Sequence, residues 1–184
     1  MGDNPHQLIR QIADGDTRAL AALYRAYERP VYRFIVSRLN DPHEAADILH
    51  DVFMDIWRGA ASFEGRCQVR TWIFGIAYRK VIDMHRKRAR VTVTDDVPEP
   101  ADAAEGAEAG YAARQEAEHL RFCVDALKDD HRVAITLAFY EDMTVAEIAE
   151  VAGVPEGTIK SRLHHARKLL LHCLSGRIGA RSPA

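Results

Sequence analysis

The chain has 184 residues, 47% of them hydrophobic, and a formal net charge of −2, which allows one ordinary domain or two small ones. No apolar run reaches the roughly 18 to 20 residues of a membrane span, and the polar N-terminus lacks a signal-peptide core, so we expect a cytoplasmic protein. Residues 1–90 contain 15 Lys and Arg against 11 acids, whereas residues 91–118 contain eight acids and one arginine. The small net charge therefore does not exclude a basic surface that binds nucleic acid.

Apolar residues recur at helical spacing from the start of the chain. Residues 7–13 predict a short helix, and Asp16 is placed to cap a second helix that continues to about residue 39. Pro30 lies inside the second helix and is expected to bend it. The buried face predicted for this helix consists of Leu20, Leu23, Tyr24, Tyr27, Val31, Phe34, Ile35 and Leu39.

The first residues of a third helix specify where it begins. Asp41 supplies an oxygen acceptor at the N-cap, Pro42 takes the first helical position, and Glu44 places a carboxylate at the third. One face is apolar and predicted to be buried, with Ala45, Ile48, Leu49, Val52, Phe53, Ile56 and Trp57. The opposite face, called here the acidic stripe, carries Asp47, His50, Asp51, Met54 and Asp55. Most stripes of this kind are solvated helix surface, so this one alone does not indicate a binding site.

A loop and a basic helix follow the acidic stripe. Residues 62–68 predict the loop, and helical spacing returns from Val69 with an apolar side of Trp72, Ile73, Ile76, Ala77, Val81 and Met84. This helix also carries many cations: Arg70, Arg79, Lys80, His85, Arg86, Lys87, Arg88 and Arg90. With Asp83 as the only acid among them, they cannot all pair internally, so phosphate is the expected partner. Four aromatic residues either join the core or stack on an unpaired base: Phe63, Trp72, Phe74 and Tyr78.

Residues 47–57, 62–65 and 70–77 resemble conserved region 2 of bacterial sigma factors, and most closely the small extracytoplasmic-function (ECF) class. The resemblance implies that the acidic stripe docks on the basic clamp helices of the largest subunit of core RNA polymerase. It also implies that the melted non-template strand of the minus-ten element is held by Phe63, Glu64, Gly65, Arg66, Arg70, Trp72, Arg79, Lys80 and Arg86. The usual Gln-Glu pair of this region is replaced here by His50 and Asp51, which keeps one acid.

An acidic segment separates this bundle from a second group of helices. Residues 93–112 include Pro98, Pro100 and a tract of alanine, glycine and acidic residues, a composition typical of a linker without fixed structure. The linker is either a spacer or, as the resemblance implies, a strand that threads the polymerase cleft. We therefore predict an all-α chain with two small helical domains, residues 1–92 and 113–184, joined by a flexible acidic linker.

The second domain begins with two predicted helices. The first covers residues 111–127, and the second runs from Lys128 to about residue 140 with Val133, Leu137 and Tyr140 inward.

A helix-turn-helix pattern completes the second domain. Thr144 and Glu147 form a capping box for a short helix that ends at Gly153, and Pro155 is expected at the first position of a longer helix. The predicted seam of this last helix is Ile159, Leu163, Ala166, Leu170 and Cys173. A short helix, a glycine-containing turn and a longer helix form the arrangement that places the second helix in the major groove of DNA.

The outward face of the last helix is basic and contains no acid between residues 158 and 174. Its first half would meet base edges through Glu156, Thr158, Lys160, Ser161 and His164. Phosphates would be contacted by Arg162, Arg167 and Lys168, and His165 shares this outward face. Residues 157–162 with 166–167 also resemble sigma region 4, which implies that this helix recognises the minus-thirty-five element.

Sigma regions 2 and 4 in this order predict a promoter-specificity subunit of RNA polymerase. The predicted partners are core RNA polymerase and promoter DNA, both as duplex and as a melted strand. The resemblance adds an anti-sigma factor that would hold the protein inactive. No enzymatic activity, cofactor, metal or membrane partner is expected.

Two rival hypotheses remain open from the sequence. A helix-turn-helix activator or repressor would use the second domain without polymerase, and its first domain would serve sensing or dimerisation. A metal protein or hydrolase is suggested by the pairs His119/Cys123 and His172/Cys173. The odd number and wide spacing of Cys67, Cys123 and Cys173 argue instead for reduced thiols, without a disulfide framework or a zinc knuckle.

Overall fold

A computed structural model of the chain describes residues 4–39, 41–91 and 111–179, and the regular secondary structure in these ranges is entirely helical. The all-α prediction is confirmed. The elements are α1 (Pro5–Ala13), α2 (Thr17–Leu39), α3 (Pro42–Gly59), a 3-10 turn (Ala60–Ser62), α4 (Val69–Val91), α5 (Tyr111–Asp125), α6 (Asp129–Phe139), α7 (Val145–Ala152) and α8 (Glu156–Gly179). Helices α1–α4 form one compact unit, and α5, α6, α8 and most of α7 form a second.

The predicted linker lies almost wholly outside the described residues, because residues 92–110 fall between the described ranges. Its flexibility and the domain boundaries at residues 92 and 113 stay predictions. Among the described residues, no helix is long and apolar enough to cross a membrane.

Local capping chemistry positions α3 as the sequence predicts. The Asp41 side chain accepts hydrogen bonds from the backbone N–H groups of His43 at 2.9 Å and Glu44 at 3.1 Å, and Pro42 takes the first helical position. These bonds satisfy N–H groups that have no partner within the helix. The start of α3 therefore follows from three neighbouring residues.

The core of the first unit lies between α2, α3 and α4, with α1 packed against all three. Phe34 of α2 and Phe74 of α4 meet edge to face with ring centroids 5.5 Å apart, and both are buried. All the apolar α3 residues predicted for the core are buried except Trp57, which is half-buried. The resulting core holds the acidic stripe on the opposite face of α3.

The predicted buried face of α2 is wrong at Tyr24 and overstated at two other residues. Tyr24 is 37% exposed, although its ring contacts the Phe53 ring of α3 with centroids 4.7 Å apart. Leu20 and Tyr27 are half-buried, whereas Leu23, Val31, Phe34, Ile35 and Leu39 are buried. Helical spacing identifies the side of α2 that faces the core but not how far the neighbouring helices extend along it.

In the second unit, α8 packs against both α5 and α6. The buried Arg132 side chain donates hydrogen bonds to the backbone oxygens of Asp125 at 2.7 Å and Leu127 at 3.1 Å. These oxygens lie at and just beyond the C-terminus of α5, where carbonyl groups lack helical partners. Arg132 therefore stabilises the junction between α5 and α6, a role that the sequence analysis missed.

Two expectations for the second unit are wrong in detail. Tyr140 was expected to face inward, but α6 ends at Phe139 and Tyr140 is 54% exposed, because the helical spacing no longer applies beyond the helix. Pro155 was expected at the first position of the last helix, but α8 begins at Glu156. Pro155 precedes it, and its carbonyl accepts from the N–H groups of Thr158 and Ile159.

The expectation of reduced thiols is wrong for two of the three cysteines. Cys123 of α5 and Cys173 of α8 form a disulfide, with Cα atoms 5.8 Å apart and 50 residues between them in sequence. Packing of α5 against α8 brings the two Cα atoms within the range that a disulfide bridges. Cys67 is a free thiol. Sequence spacing did not reveal this pair because its proximity arises only from tertiary packing.

Candidate binding surfaces

The acidic stripe forms an outward face on α3. Asp47, His50 and Asp51 are exposed, and Met54 and Asp55 are half-buried. The apolar face behind them is packed into the core of the first unit. The stripe is therefore presented on a helix whose orientation is set by burial of its other side.

One residue of the stripe is paired with a residue predicted for a different surface. The Asp55 carboxylate lies 2.8 Å from Lys80 Nζ of α4 and 3.8 Å from the Arg58 guanidinium. Asp55 was expected to face polymerase, and Lys80 was expected to face DNA. In the described structure they join α3 to α4 along the border between those two predicted surfaces.

The loop between the 3-10 turn and α4 has defined backbone contacts. Ser62 Oγ donates to the Gly59 carbonyl at 2.7 Å, and the Phe63 N–H donates to the Ala60 carbonyl at 3.2 Å. Gly65 has φ +69°, a backbone conformation that favours glycine. Glu64 and Arg66, both predicted DNA contacts, form an exposed ion pair on either side of Gly65.

The aromatic residues around this loop separate into core and surface members. Phe74 is buried against Phe34 and belongs to the core. Phe63 and Trp72 are half-buried, with ring centroids 4.8 Å apart, and the His6 ring of α1 lies 5.8 Å from the Phe63 ring. The core alternative is therefore confirmed for Phe74, whereas base stacking by the half-buried Phe63, Trp72 and Tyr78 stays a prediction. His6 was not identified because it lies far from the loop in sequence.

A cleft of about 460 Å³ lies between α3 and α4 beside Trp72. Its lining combines cations, acids and apolar surface, from Asp55, Arg58, Gly59, Trp72, Ile76, Arg79, Lys80 and Asp83. Three predicted minus-ten contacts, Trp72, Arg79 and Lys80, thus share one concave surface. Arg58 joins them and was not predicted, because it belongs to α3, whereas the predicted DNA contacts lie in the loop and on α4.

The remaining cations predicted for minus-ten DNA lie elsewhere on α4. Arg86 is exposed and lies 3.5 Å from the Asp83 carboxylate. Arg70 is half-buried near Tyr27, whose pKa is raised by burial while the Arg70 charge opposes the rise. Arg88 is one of the cations that were predicted to bind phosphate. In the structure it pairs with Glu44 and donates to the Leu39 carbonyl at 3.4 Å. Arg88 therefore connects the end of α4 to the start of α3.

The helix-turn-helix has the local geometry that the sequence predicts. The Thr144 N–H donates to the Glu147 carboxylate at 2.8 Å, and the Glu147 N–H donates to Thr144 Oγ1 at 3.3 Å, which is a capping box. Gly153 ends α7 with φ +65°, and the Val154 N–H donates to the Ala149 carbonyl at 3.1 Å. The turn between α7 and α8 thus follows from local residue chemistry.

Most of the predicted DNA-facing residues of α8 are exposed. Seven are exposed and Thr158 and Arg162 are half-buried, while the seam residues Ile159, Leu163 and Ala166 are buried. Lys160 lies 3.5 Å from Glu156, and Ser161 Oγ donates to the Thr158 carbonyl at 2.9 Å.

Two arginines of α8 contact α6. The Arg162 side chain, 19% exposed, lies 2.6 Å from the Asp130 carboxylate, and the Arg167 guanidinium sits 5.4 Å from the ring centroid of the exposed Phe139. Arg162 was predicted to contact phosphate, and its pairing with Asp130 also gives it a role in packing.

A pair of histidines lies where α6 meets α8. The His131 ring of α6 stacks near His165 of α8 with centroids 6.3 Å apart. Burial lowers the pKa of His131, and the nearby His165, Arg162 and Lys128 lower it further, while Asp130 opposes them. A histidine whose pKa is lowered by folding favours the folded state while it is unprotonated, and protonation removes that contribution.

We expect the second unit to lose stability as the pH falls below the ordinary histidine pKa of 6.5 toward the lowered pKa of folded His131. In that window the unfolded chain binds more protons than the folded chain, so unfolding becomes easier. Thermal unfolding of the full chain across this pH range measures the loss. His131→Gln should flatten the profile, whereas the exposed control His172→Gln should leave it unchanged. Equal profiles for wild type and His131→Gln would refute the assignment.

No group of three His, Cys, Asp or Glu side chains in the described ranges could hold a metal ion. The two cysteines of the rival metal pairs, Cys123 and Cys173, are bonded to each other. Neither thiolate is therefore available as a ligand while the disulfide is intact.

Two family models match the chain, in the order expected from the sequence. The model described as Sigma-70 region 2 matches residues 23–91, and the model described as Sigma-70, region 4 matches residues 118–170. The first match covers the acidic stripe, the loop and the cleft. The second covers the helix-turn-helix and most of α8.

Named relatives are similar over most of their length. The ECF RNA polymerase sigma factor SigK of Mycolicibacterium vanbaalenii is 29% identical over 174 residues, which cover 91% of this chain and 87% of SigK. SigW of Bacillus subtilis is 28% identical, covering 88% of this chain and 92% of SigW. Among solved structures, the sigma factor RpoE of Bartonella quintana, in complex with the anti-sigma factor NepR, is 27% identical with a TM-score of 0.71. That match covers 83% of this chain and 94% of RpoE.

Proposed function

Because the chain belongs to the ECF class of RNA polymerase sigma factors, we propose that it binds core RNA polymerase and directs initiation at specific promoters. These are the promoters whose minus-ten and minus-thirty-five elements it recognises. The observation that carries this function is the presence of regions 2 and 4, in order, on one chain. The rival activator hypothesis loses its basis, since it assigned the first domain to sensing or dimerisation. Sigma factors are transcription regulators, and the proposal includes no covalent chemistry.

The acidic stripe is the proposed contact with core polymerase. Its exposed Asp47 and Asp51 are four residues apart on α3 and so lie on one face of the helix. Two adjacent carboxylates attract a basic surface and steer its approach. Met54 adds a half-buried, adaptable side chain to the same face.

The loop and cleft are the proposed contact with the melted minus-ten strand. Single-stranded nucleic acid is bound by aromatic rings that stack on bases and by cations that follow the backbone. Phe63 and Trp72 supply neighbouring half-buried rings, and Arg79 and Lys80 line the adjacent cleft. Arg66, Arg70 and Arg86 are proposed to contact phosphates around this centre, with Glu64 and Gly65 shaping the loop between them.

The first half of α8 is the proposed reader of the minus-thirty-five element. Lys160, Ser161 and His164 are exposed there, where a recognition helix meets base edges. Arg167 and Lys168 lie further along α8 and are proposed to bind phosphates, which fixes register on the duplex.

Control by an anti-sigma factor is part of the proposal. The RpoE structure similar to this chain is a complex with the anti-sigma factor NepR. An inhibitor of this kind would act by covering the polymerase- and DNA-binding surfaces described above. The proposed place of action is the cytoplasm, where RNA polymerase and promoter DNA are found.

Run-off transcription with purified core RNA polymerase and genomic promoter fragments tests the function. Adding the chain should produce transcripts with defined start sites that core polymerase alone does not make. Lys168→Ala should reduce this initiation, because one phosphate contact and its counterion release are lost. The reduction should shrink as salt is raised, and the salt slope of duplex binding should fall by about one.

Lys128→Ala is the matched control, since it removes the same charge from an exposed site at the start of α6. We expect it to initiate as well as wild type. Equal losses in the two variants would assign the effect to net charge rather than to α8. Absence of specific initiation by wild type from any promoter fragment would refute the proposed function.

A further inference from the structure

A row of three rings crosses the proposed minus-ten surface, and its outermost member belongs to α1. His6 lies 5.8 Å from Phe63, which lies 4.8 Å from Trp72. All three rings are half-buried, so each is packed on one side and accessible on another. The residues come from α1, from the end of the 3-10 turn and from the first turn of α4.

The His6 end of this row is firmly anchored. The Asn4 side chain accepts a hydrogen bond from the His6 N–H at 3.0 Å, and Pro5 takes the first position of α1. Leu8, Ile9 and Ile12 are buried, and α1 packs against α2, α3, α4 and the 3-10 turn. A short helix held by this much apolar surface provides a fixed support for the ring at its start.

The Phe63 side of the row is supported much less by its own loop. Glu64, Gly65, Arg66 and Gln68 are all exposed. The backbone bond from Phe63 to Ala60 fixes where the loop begins, but it does not fix the Phe63 ring. Contact with the rings of His6 and Trp72 restricts the Phe63 side chain, because aromatic pairs favour particular relative orientations.

The chemistry beside this row suits an unpaired DNA base. Trp72 also lines the cleft, whose charged side chains are three cations and two acids, so a ring surface continues into a cleft in which cations outnumber acids. Stacking on a ring together with contact from cations binds single strands with little dependence on base identity. The position of Phe63 beside Trp72 therefore determines how wide a stacking surface the loop presents.

The family match does not account for His6. The region 2 model begins at residue 23, whereas α1 covers Pro5–Ala13. His6 therefore lies outside the matched segment, whereas Phe63 and Trp72 lie within it.

We propose that His6 is a positioning residue for promoter opening, which holds Phe63 against Trp72 so that the pair can stack on an unpaired base of the non-template strand. The inference rests on the proposed function, since it concerns the same minus-ten surface. His6 acts through Phe63, and the base contact belongs to the loop.

The experiment measures binding of the holoenzyme, made from full-length chain and core RNA polymerase, to two DNA probes. One is a promoter duplex with an unpaired segment at the minus-ten position. The non-template sequence of that segment is selected from a randomised pool. The other is the same sequence fully paired. His6→Ala should weaken binding to the unpaired probe about two- to tenfold, the range that loss of one aromatic pair produces. Binding to the paired probe and the affinity for core polymerase should not change.

Two further variants separate positioning from general stabilisation. His6→Phe keeps a ring at this position and should restore binding to the unpaired probe. Gln7→Ala changes the exposed neighbour on α1 and should bind as wild type does. Rescue by phenylalanine together with unchanged binding to the paired probe supports positioning.

Four outcomes would overturn the inference. If wild type binds the unpaired probe and His6→Ala binds it equally well, the positioning role of His6 is refuted. The proposed sigma function is not affected by that result. Equal weakening on both probes, or failure of His6→Phe to rescue, would assign His6 to the structure of α1. Failure of the wild-type holoenzyme to bind any selected unpaired strand would overturn the proposed function and this inference together.

Discussion

Replacing Asp51 with arginine is expected to weaken binding of the chain to core RNA polymerase roughly tenfold or more. Asp51 is exposed near the middle of the acidic stripe, next to Asp47 on the same face of α3. Charge reversal replaces an attraction to the basic polymerase surface by a repulsion between like charges. Titration of labelled chain with core polymerase at fixed salt measures the change.

Asp14→Arg is the matched control for that prediction. It makes the same charge change at an exposed residue in the turn between α1 and α2, away from the stripe. We expect Asp14→Arg to bind core polymerase as wild type does and both variants to keep their helical content. If Asp51→Arg also binds as wild type does, the stripe is not the docking surface, even though the family assignment would stand.

Breaking the Cys123–Cys173 disulfide has the second large expected effect. Reduction, or Cys123→Ser, should lower the stability of the second unit by about 2–4 kcal/mol, the typical contribution of a disulfide. The bridge closes a loop of 50 residues that includes α6 and α7, so its loss allows the unfolded chain many more conformations. Urea unfolding of the full chain, followed by circular dichroism with and without reductant, measures the difference.

Cys67→Ser tests whether the effect belongs to that bridge. Cys67 is a free thiol in the first unit, so its replacement should preserve the response to reductant. Cys123→Ser should remove the response, because no bridge remains to be reduced. An unfolding midpoint of the second unit that is the same with and without reductant in wild type would contradict the prediction.

Local sequence chemistry accounts for where several helices begin. Asp41 with Pro42, and Thr144 with Glu147, form caps from residues within three positions of each other. Neighbours this close in sequence meet whatever the rest of the chain does, so their bonds can be predicted from residue types. The same reasoning predicts the acidic stripe and the basic face of α8, because helical spacing separates buried from outward residues.

Tertiary packing decides what those outward residues contact. The sequence placed Asp55 in the acidic stripe and Lys80 on the predicted DNA-binding surface. In the structure these two residues form an ion pair that joins α3 to α4. The sequence also marked Arg162 as a phosphate contact, yet Arg162 is paired with Asp130 of α6. Such contacts join residues that are distant in sequence, and helical periodicity carries no information about which helices become neighbours.

The sequence by itself determined the all-α class, most helix starts, the faces of α3 and α8, and the resemblance to sigma regions 2 and 4. These properties depend on residue type and on spacing within one helix. Only the tertiary structure decided that Cys123 meets Cys173, that Arg132 supports the end of α5, and that His6 lies beside Phe63. Each of these contacts exists because burial of apolar faces brings separate segments together, and their proximity is a property of the packed chain.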